Sequence, residues 1–213
     1  MARPKCVVLG GSFNPPTKAH EQLMLHAMTH INAEYGIFVP SSDAYVRRKM
    51  KKAKETIVFT EQGRARMLKT IIRRHPEIQI SYVEYKDDGK GHTYETMRKL
   101  QKQYPDRELC FLLGADKLRI LPRWHDITLF LRQFKIALMS RSESDARNLI
   151  AKNPLLSQFE SSFLHLPELP EIQNISSTAA RHALYELKTM LGRDITKECM
   201  DELELGLAEN TPE

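Results

Sequence analysis

The chain has 213 residues, of which 41% are apolar, and carries a formal net charge of +5 at pH 7. This length suffices for one good hydrophobic core, so we expect a single domain over residues 1–213, with a helical C-terminal extension at about residues 192–213. No apolar run approaches the length of a membrane span or a signal peptide, so we expect a cytoplasmic protein that does not enter a membrane. The positive charge suits polyanionic small molecules or nucleic acid and does not choose between them.

Three cysteines are too few and too scattered for a disulfide framework. Cys6 and Cys110 lie in apolar, strand-like runs, and Cys199 lies in a helical pattern without metal-ligand spacing. We therefore expect inert thiols rather than metal ligands or nucleophiles.

Apolar runs alternate with helical patterns along the chain. Strands are predicted at residues 7–9, 35–40, 78–85, 108–114, 135–140 and 162–170, and amphipathic or capped helices between them, including 17–31, 60–75, 93–105 and 174–191. The stretch after residue 40 is expected to be a polar, basic loop. The continuous apolar run at 108–114 is typical of a central parallel strand. The alternation predicts an α/β fold, a doubly wound, Rossmann-like parallel sheet with helices on both faces.

The stretch VVLGGSFNPPTKAH, residues 7–20, resembles a phosphate-binding turn between a strand and a helix. We expect Gly10 and Gly11 to end the strand where the backbone turns sharply, and Thr17 to cap a helix that carries His20 in its first turn. Free backbone N–H groups at such a helix start attract phosphate. The stretch lacks the lysine of a P-loop and the third glycine of the dinucleotide fingerprint. A capping threonine beside a surface histidine would explain the pair equally well.

A second candidate anion site is ISSTAAR, residues 175–181, which begins a late helix with three hydroxyl residues and carries Arg181 within reach of the same terminus. An ordinary capped helix with an exposed arginine is the alternative. In a doubly wound sheet both helices begin at one edge, so both sites are expected to face one crevice. Two phosphate sites in one crevice indicate a triphosphate.

At these residues the chain resembles the nucleotidylyltransferase superfamily with (H/T)xxH and ISSTxxR signatures, and within it the nicotinamide or nicotinate mononucleotide adenylyltransferases. The stretches at 39–49, 95–100 and 111–116 also resemble this branch. The likeness spans roughly residues 5–190. It implies an enzyme of NAD biosynthesis that joins ATP to nicotinate or nicotinamide mononucleotide and releases pyrophosphate, with Mg²⁺ carried by ATP and no metal ligands from the protein.

The resemblance also implies a role for each matching residue. His20 and Thr17 would contact the ATP phosphates, with His20 stabilising charge on the α-phosphate. The other ATP contacts would be Gly11, Ser12, Phe13, Gly114, Asp116, Ile175, Ser176, Ser177, Thr178 and Arg181. The mononucleotide would be held by Ser12, Arg47 or a neighbouring base such as Lys49, Thr96 and Trp124. Thr96 and Trp124 would bind the pyridine ring, although a lone tryptophan is about as often a packing residue.

Two other functions stay open. Phosphopantetheine adenylyltransferases also carry threonine in the first motif, but they are usually shorter, and the stretch at 95–100 with Trp124 favours the pyridine branch. A non-catalytic nucleotide- or nucleic-acid-binding protein on the same scaffold would use the basic residues at 47–54. Intact copies of both phosphate motifs make nucleic acid an unfavoured partner. The sequence does not separate the acid from the amide substrate, and it leaves a homo-oligomer open.

Overall fold

The computed structural model describes residues 3–86, 91–140, 142–172 and 174–191, so the predicted extension at 192–213, with Cys199, lies outside the described residues. Six strands form one parallel sheet in the order β3-β2-β1-β4-β5-β6. Their bounds are β1 Lys5–Gly11, β2 Ala33–Pro40, β3 Ile78–Ile80, β4 Glu108–Gly114, β5 Lys135–Met139 and β6 Phe163–Leu166.

Seven α-helices connect the strands or follow them within the described ranges. They are α1 Lys18–Ile31, α2 Asp43–Lys52, α3 Glu61–Ile72, α4 Thr93–Gln103, α5 Ile127–Gln133, α6 Glu143–Ala151 and α7 Ser177–Leu191. Short 3₁₀ segments lie at 115–117, 121–123, 156–162 and 170–172. Among these described helices, none is long and apolar enough to cross a membrane.

Both faces of the sheet are covered, because successive strand residues point to opposite sides. Val7 packs with the core formed by α1 and α3, whereas Val8 packs with the core on the α4, α5 and α6 side. Gly36 in β2 lets α1 approach, since a Cβ there would lie 2.9 Å from the sulfur atoms of Met24 and Met28. The predicted doubly wound α/β fold is confirmed.

The strand order reverses at the centre of the sheet, where β1 pairs with β2 on one side and β4 on the other. Ligands of doubly wound sheets bind beyond the carboxyl ends of the strands at this reversal. Here β1 ends at Gly11 and β4 at Gly114, so the first motif and the predicted ribose contacts begin at neighbouring positions.

The prediction of a polar loop after residue 40 was wrong, because residues 43–52 form helix α2. The Ser42 side chain accepts a hydrogen bond from the Tyr45 N–H, 3.4 Å away, and caps the helix. Val46 and Met50, four residues apart, are buried on one face. These two apolar residues are easily overlooked among the five basic residues of the helix.

The third strand is shorter than predicted. Only Ile78–Ile80 pair with β2, and the predicted strand at 78–85 continues as turns that place Glu84 in the interior. Because β3 is an edge strand, one neighbour alone decides how far its pairing runs.

The two described cysteines are buried and free. Burial raises the pKa of the Cys6 thiol to about 11 and that of Cys110 to about 12. Burial therefore favours the protonated thiol at neutral pH, as packing roles for Cys6 and Cys110 require.

Candidate active site

The first motif places a neutral histidine at the start of α1. Both the backbone N–H and the hydroxyl of Thr17 lie within hydrogen-bond distance of His20 Nδ1, at 3.0 and 2.8 Å. Because a backbone N–H only donates, Nδ1 is the acceptor, and the ring proton belongs on Nε2. Burial lowers the pKa of His20 to about 4. At neutral pH the ring is therefore an uncharged N–H donor held in one tautomer.

The sharp turn after β1 occurs at Phe13 rather than at the glycines. Gly10 and Gly11 still pair with β2, and Phe13 has the left-handed backbone, with φ of 44°. The prediction that the glycines make the turn was therefore wrong. At Gly11 a Cβ would make an ordinary van der Waals contact with the Phe13 ring, 3.4 Å away. That ring is buried and meets His20 edge-on, with centroids 5.1 Å apart.

Two buried side chains hold this loop from behind. Asn14 donates from Nδ2 to the carbonyl of Ile57 at 2.9 Å and accepts the Phe59 N–H at 2.8 Å. Arg64, fully buried, donates to the Ser12 carbonyl at 2.9 Å and to Asp43 Oδ1 at 3.0 Å. The sequence predicted neither role. Asn14 lies within the first motif, where other residues drew the attention, and Arg64 is one of several basic residues on a predicted helix.

The second motif docks on the first. The Ser177 hydroxyl donates to the Pro15 carbonyl at 2.7 Å, and Ser176 Oγ accepts the Ala179 N–H at 3.1 Å. Arg181, also buried, donates from Nη1 to the Asn14 carbonyl at 2.8 Å. The structure thus brings the two predicted phosphate motifs into direct contact.

Arg181 already holds an anion supplied by the protein. Its Nε and Nη2 donate to the two carboxylate oxygens of Glu55 at 3.2 and 2.8 Å. This bidentate contact holds the pKa of Glu55 below its usual value. A guanidinium binds carboxylate and phosphate with the same fork of donors. A phosphate that binds this fork of Arg181 would therefore take the place of Glu55.

Two cavities meet beyond the ends of β1 and β4. The smaller, about 310 Å³, is lined by seven of the predicted residues, Gly11, Ser12, Lys49, Thr96, Gly114, Asp116 and Trp124. The larger, about 610 Å³, lies toward α6 and α7, and its lining includes Gly114, Asp116, Ile175 and Ser176. Gly114 and Asp116 line both, so the two cavities are adjacent.

Other predicted residues lie outside these walls. Phe13, Thr17, His20, Ser177, Thr178 and Arg181 do not line either cavity, although Ala19, the neighbour of His20, lines the larger. Arg47 is exposed on α2 and is also outside both walls. Lys49, two residues later, is also exposed overall, but its Nζ donates to Ser12 Oγ at 3.0 Å, and desolvation of this ammonium group lowers its pKa. A helix turns about 200° over two residues, so only one of these bases faces the cavity.

The wall of the smaller cavity contains a buried carboxylate that sequence reasoning missed. Thr96 Oγ1 donates to Glu84 Oε1 at 2.8 Å, and both residues are buried. Trp124 is partly buried and meets Phe111 edge-on, with centroids 6.2 Å apart. Trp124 therefore packs on the core and lines the cavity at once.

The chain is similar to several known proteins. A model of the cytidylyltransferase-like family matches residues 8–183. A protein of Carboxydothermus hydrogenoformans named "probable nicotinate-nucleotide adenylyltransferase" is 30% identical over 186 residues, covering 87% of this chain and 89% of that one. A protein of Lactococcus lactis with the same name is 28% identical over 180 residues, 84% and 82% of the two chains.

A solved structure shares the fold. The nicotinic acid mononucleotide adenylyltransferase of Plasmodium falciparum, complexed with APC, has a TM-score of 0.60 at 18% identity and covers 85% of this chain and 84% of that one. At this identity the likeness concerns the fold. The family match and the bacterial relatives place this chain in the cytidylyltransferase-like family, in the branch of the nicotinate-nucleotide adenylyltransferases.

Proposed function

We propose that this chain transfers the adenylyl group of ATP to the phosphate of nicotinate mononucleotide, giving nicotinate adenine dinucleotide and pyrophosphate. The observation that carries the proposal is the pair of cavities that meet at Gly114 and Asp116, directly beyond the first motif. One cavity for each nucleotide, joined at the strand-order reversal, suits a reaction that links two nucleotides. The names of the bacterial relatives support the acid substrate.

The reaction needs little covalent chemistry from the protein. An oxygen of the mononucleotide phosphate attacks the ATP α-phosphorus, the new P–O bond forms, and pyrophosphate leaves with the electrons of the broken bond. The nucleophile is already an anion, so no general base is required. Catalysis then depends on positioning two polyanions and on donors placed where charge develops. His20 Nε2–H would donate to the α-phosphate, with Thr17 orienting the ring.

The larger cavity suits adenosine, because apolar residues including Leu149, Leu169 and Ile172 form much of its wall. The β- and γ-phosphates would lie on Ser176, Ser177, Thr178 and Arg181, where they displace Glu55. The smaller cavity suits the mononucleotide, with Trp124 stacking on the pyridine and Lys49 near its phosphate. Gly114 and Asp116 would meet the adenosine ribose at the junction.

The residues present suit a Mg²⁺ ion that arrives on the triphosphate. Asp116 is the one carboxylate that lines both cavities, and it is ion-paired with Lys117. In the described ranges no cluster of carboxylates accompanies the two phosphate motifs. Mg²⁺ would therefore be held mainly by phosphate oxygens and water, where it reduces the charge that the two nucleotides bring together.

Pyrophosphate release from ATP and Mg²⁺ tests the proposal with three separate acceptors: nicotinate mononucleotide, nicotinamide mononucleotide and phosphopantetheine. We expect release with a pyridine mononucleotide and the highest kcat/KM with the acid. Release with phosphopantetheine alone, or failure to release pyrophosphate with any of the three acceptors, would overturn the assignment of the smaller cavity.

One observation favours the amide as a second candidate. The buried carboxylate of Glu84 lines the smaller cavity and already accepts the Thr96 hydroxyl. An amide NH₂ on the pyridine would donate a hydrogen bond to the Glu84 carboxylate, whereas the carboxylate of the acid substrate has no proton to donate. Higher kcat/KM with nicotinamide mononucleotide than with nicotinate mononucleotide would select this alternative.

Replacing Trp124 by alanine separates stacking from packing. We expect the KM for the mononucleotide to rise about tenfold, because one base–aromatic stack contributes roughly 1–3 kcal/mol. The KM for ATP should change less than about twofold, since Trp124 does not line the larger cavity. Steady-state kinetics with each substrate varied in turn provide the measurement, and Trp124→Phe is the control that keeps an aromatic ring. Equal changes in both KM values would assign Trp124 to packing alone.

A further inference from the structure

Three side chains next to the smaller cavity form a cluster with no part in the reaction described above. His92 precedes α4, Glu95 lies in its first turn, and His125 follows Trp124. Their ligand atoms all lie within 4.8 Å of one another. The His92 and His125 rings are nearly parallel, at 10°, with centroids 4.2 Å apart, and His92 Nδ1 lies 3.4 Å from Glu95 Oε1.

We propose that His92, Glu95 and His125 bind a divalent transition-metal ion of the Zn²⁺ class. Two imidazoles and one carboxylate are a ligand set typical of zinc sites with an open fourth position. With metal–ligand bonds of about 2.1 Å, two ligands of a tetrahedral ion lie about 3.4 Å apart, which the His92–Glu95 pair already matches. The two stacked rings must turn before their nitrogen lone pairs can converge on one ion, and the exposure of all three side chains leaves room for that rotation.

A fourth residue supports the assignment. His125 Nδ1 lies 3.1 Å from Asp126 Oδ2, so the carboxylate favours the tautomer with the proton on Nδ1, in which Nε2 is the metal ligand. Such carboxylate–histidine pairs accompany metal-binding histidines and raise their basicity. Glu95 and Asp126 together also supply two negative charges, which balance a divalent cation. An ordinary stacked histidine pair requires neither carboxylate.

The position of the cluster couples it to the smaller cavity. Gly91 and Thr93 flank His92 and line that cavity, and Trp124 beside His125 lines it too. A bound ion would therefore tie the start of α4 to the Trp124 segment, two parts of the cavity wall that are 33 residues apart in sequence. We expect the metal to stabilise the folded chain, since it binds a site that unfolding separates.

The test uses the chelator-treated full chain without substrates, so its result is independent of the proposed function. Trp124 is the chain's only tryptophan and is adjacent to His125. Paramagnetic Co²⁺ should quench its fluorescence in a saturable titration with one ion per chain, and diamagnetic Zn²⁺ should reverse the quenching by displacement.

Variants locate the bound ion. His125→Ala and Glu95→Gln should each weaken Co²⁺ binding at least about tenfold. His30→Ala is the matched control, because His30 belongs to another pair of neighbouring histidine rings outside the cluster, tilted at 58° to His26 with centroids 4.3 Å apart, and should leave binding unchanged. Circular dichroism confirms that each variant is folded. Quenching that does not saturate, or that persists unchanged in folded His125→Ala and Glu95→Gln, would overturn the proposal.

Discussion

Replacing His20 by alanine should lower kcat by about 10²–10³-fold, the loss that follows removal of a donor to a developing oxyanion. The neutral ring offers only its Nε2–H, because Thr17 occupies Nδ1, and this donor acts on charge that appears on the α-phosphate during the reaction. An interaction made mainly in the transition state affects kcat more than KM. Pyrophosphate release at saturating ATP and mononucleotide is the measurement.

Two further variants show how His20 acts. Thr17→Val removes one donor to Nδ1 but keeps the backbone N–H bond, so its loss should be smaller, about tenfold or less. His20→Asn keeps an N–H donor and should recover part of the activity lost in His20→Ala. If His20→Ala keeps kcat within about threefold of the wild type, a change below 1 kcal/mol, His20 has no role in the chemical step.

Replacing Arg64 by methionine should lower the free energy of unfolding by about 2 kcal/mol, since the Ser12 carbonyl loses its buried donor and the Asp43 carboxylate, 30% exposed, loses its cation. The fully buried guanidinium joins Asp43 on α2 to the Ser12 carbonyl in the first motif. Methionine retains much of the volume but no donor. Denaturant unfolding followed by circular dichroism measures the change.

Lys69→Met is the matched control for Arg64. Lys69 lies on the same helix, α3, but is exposed, so its replacement should change the unfolding free energy by less than about 0.5 kcal/mol. The double variant Arg64→Met with Asp43→Ala should lose less than the sum of the single losses, because the stranded carboxylate is gone. An Arg64→Met chain as stable as the Lys69→Met chain would show that the buried contacts contribute nothing net.

Features that depend on neighbours in sequence were predictable. The Thr17 cap of α1, the central strand β4 and the helix after Ser176 each follow from local propensity and hydrophobic pattern, and the structure has all three. Helix α2 and the short length of strand β3 could not be predicted in this way. In α2 the basic residues obscured two buried ones, and the length of β3 depends on β2, its pairing partner.

The sequence by itself determined the sheet type, the order of the two phosphate motifs and the chemical groups that each presents, because short segments with fixed spacing specify a turn and a helix start. Only the tertiary structure decided which groups meet. Arg181 pairs with Glu55 across 126 residues, and Arg64 supports Ser12 across 52. It also decided that Lys49 rather than Arg47 reaches the cavity. Such contacts arise when distant segments pack together, and no local pattern records them.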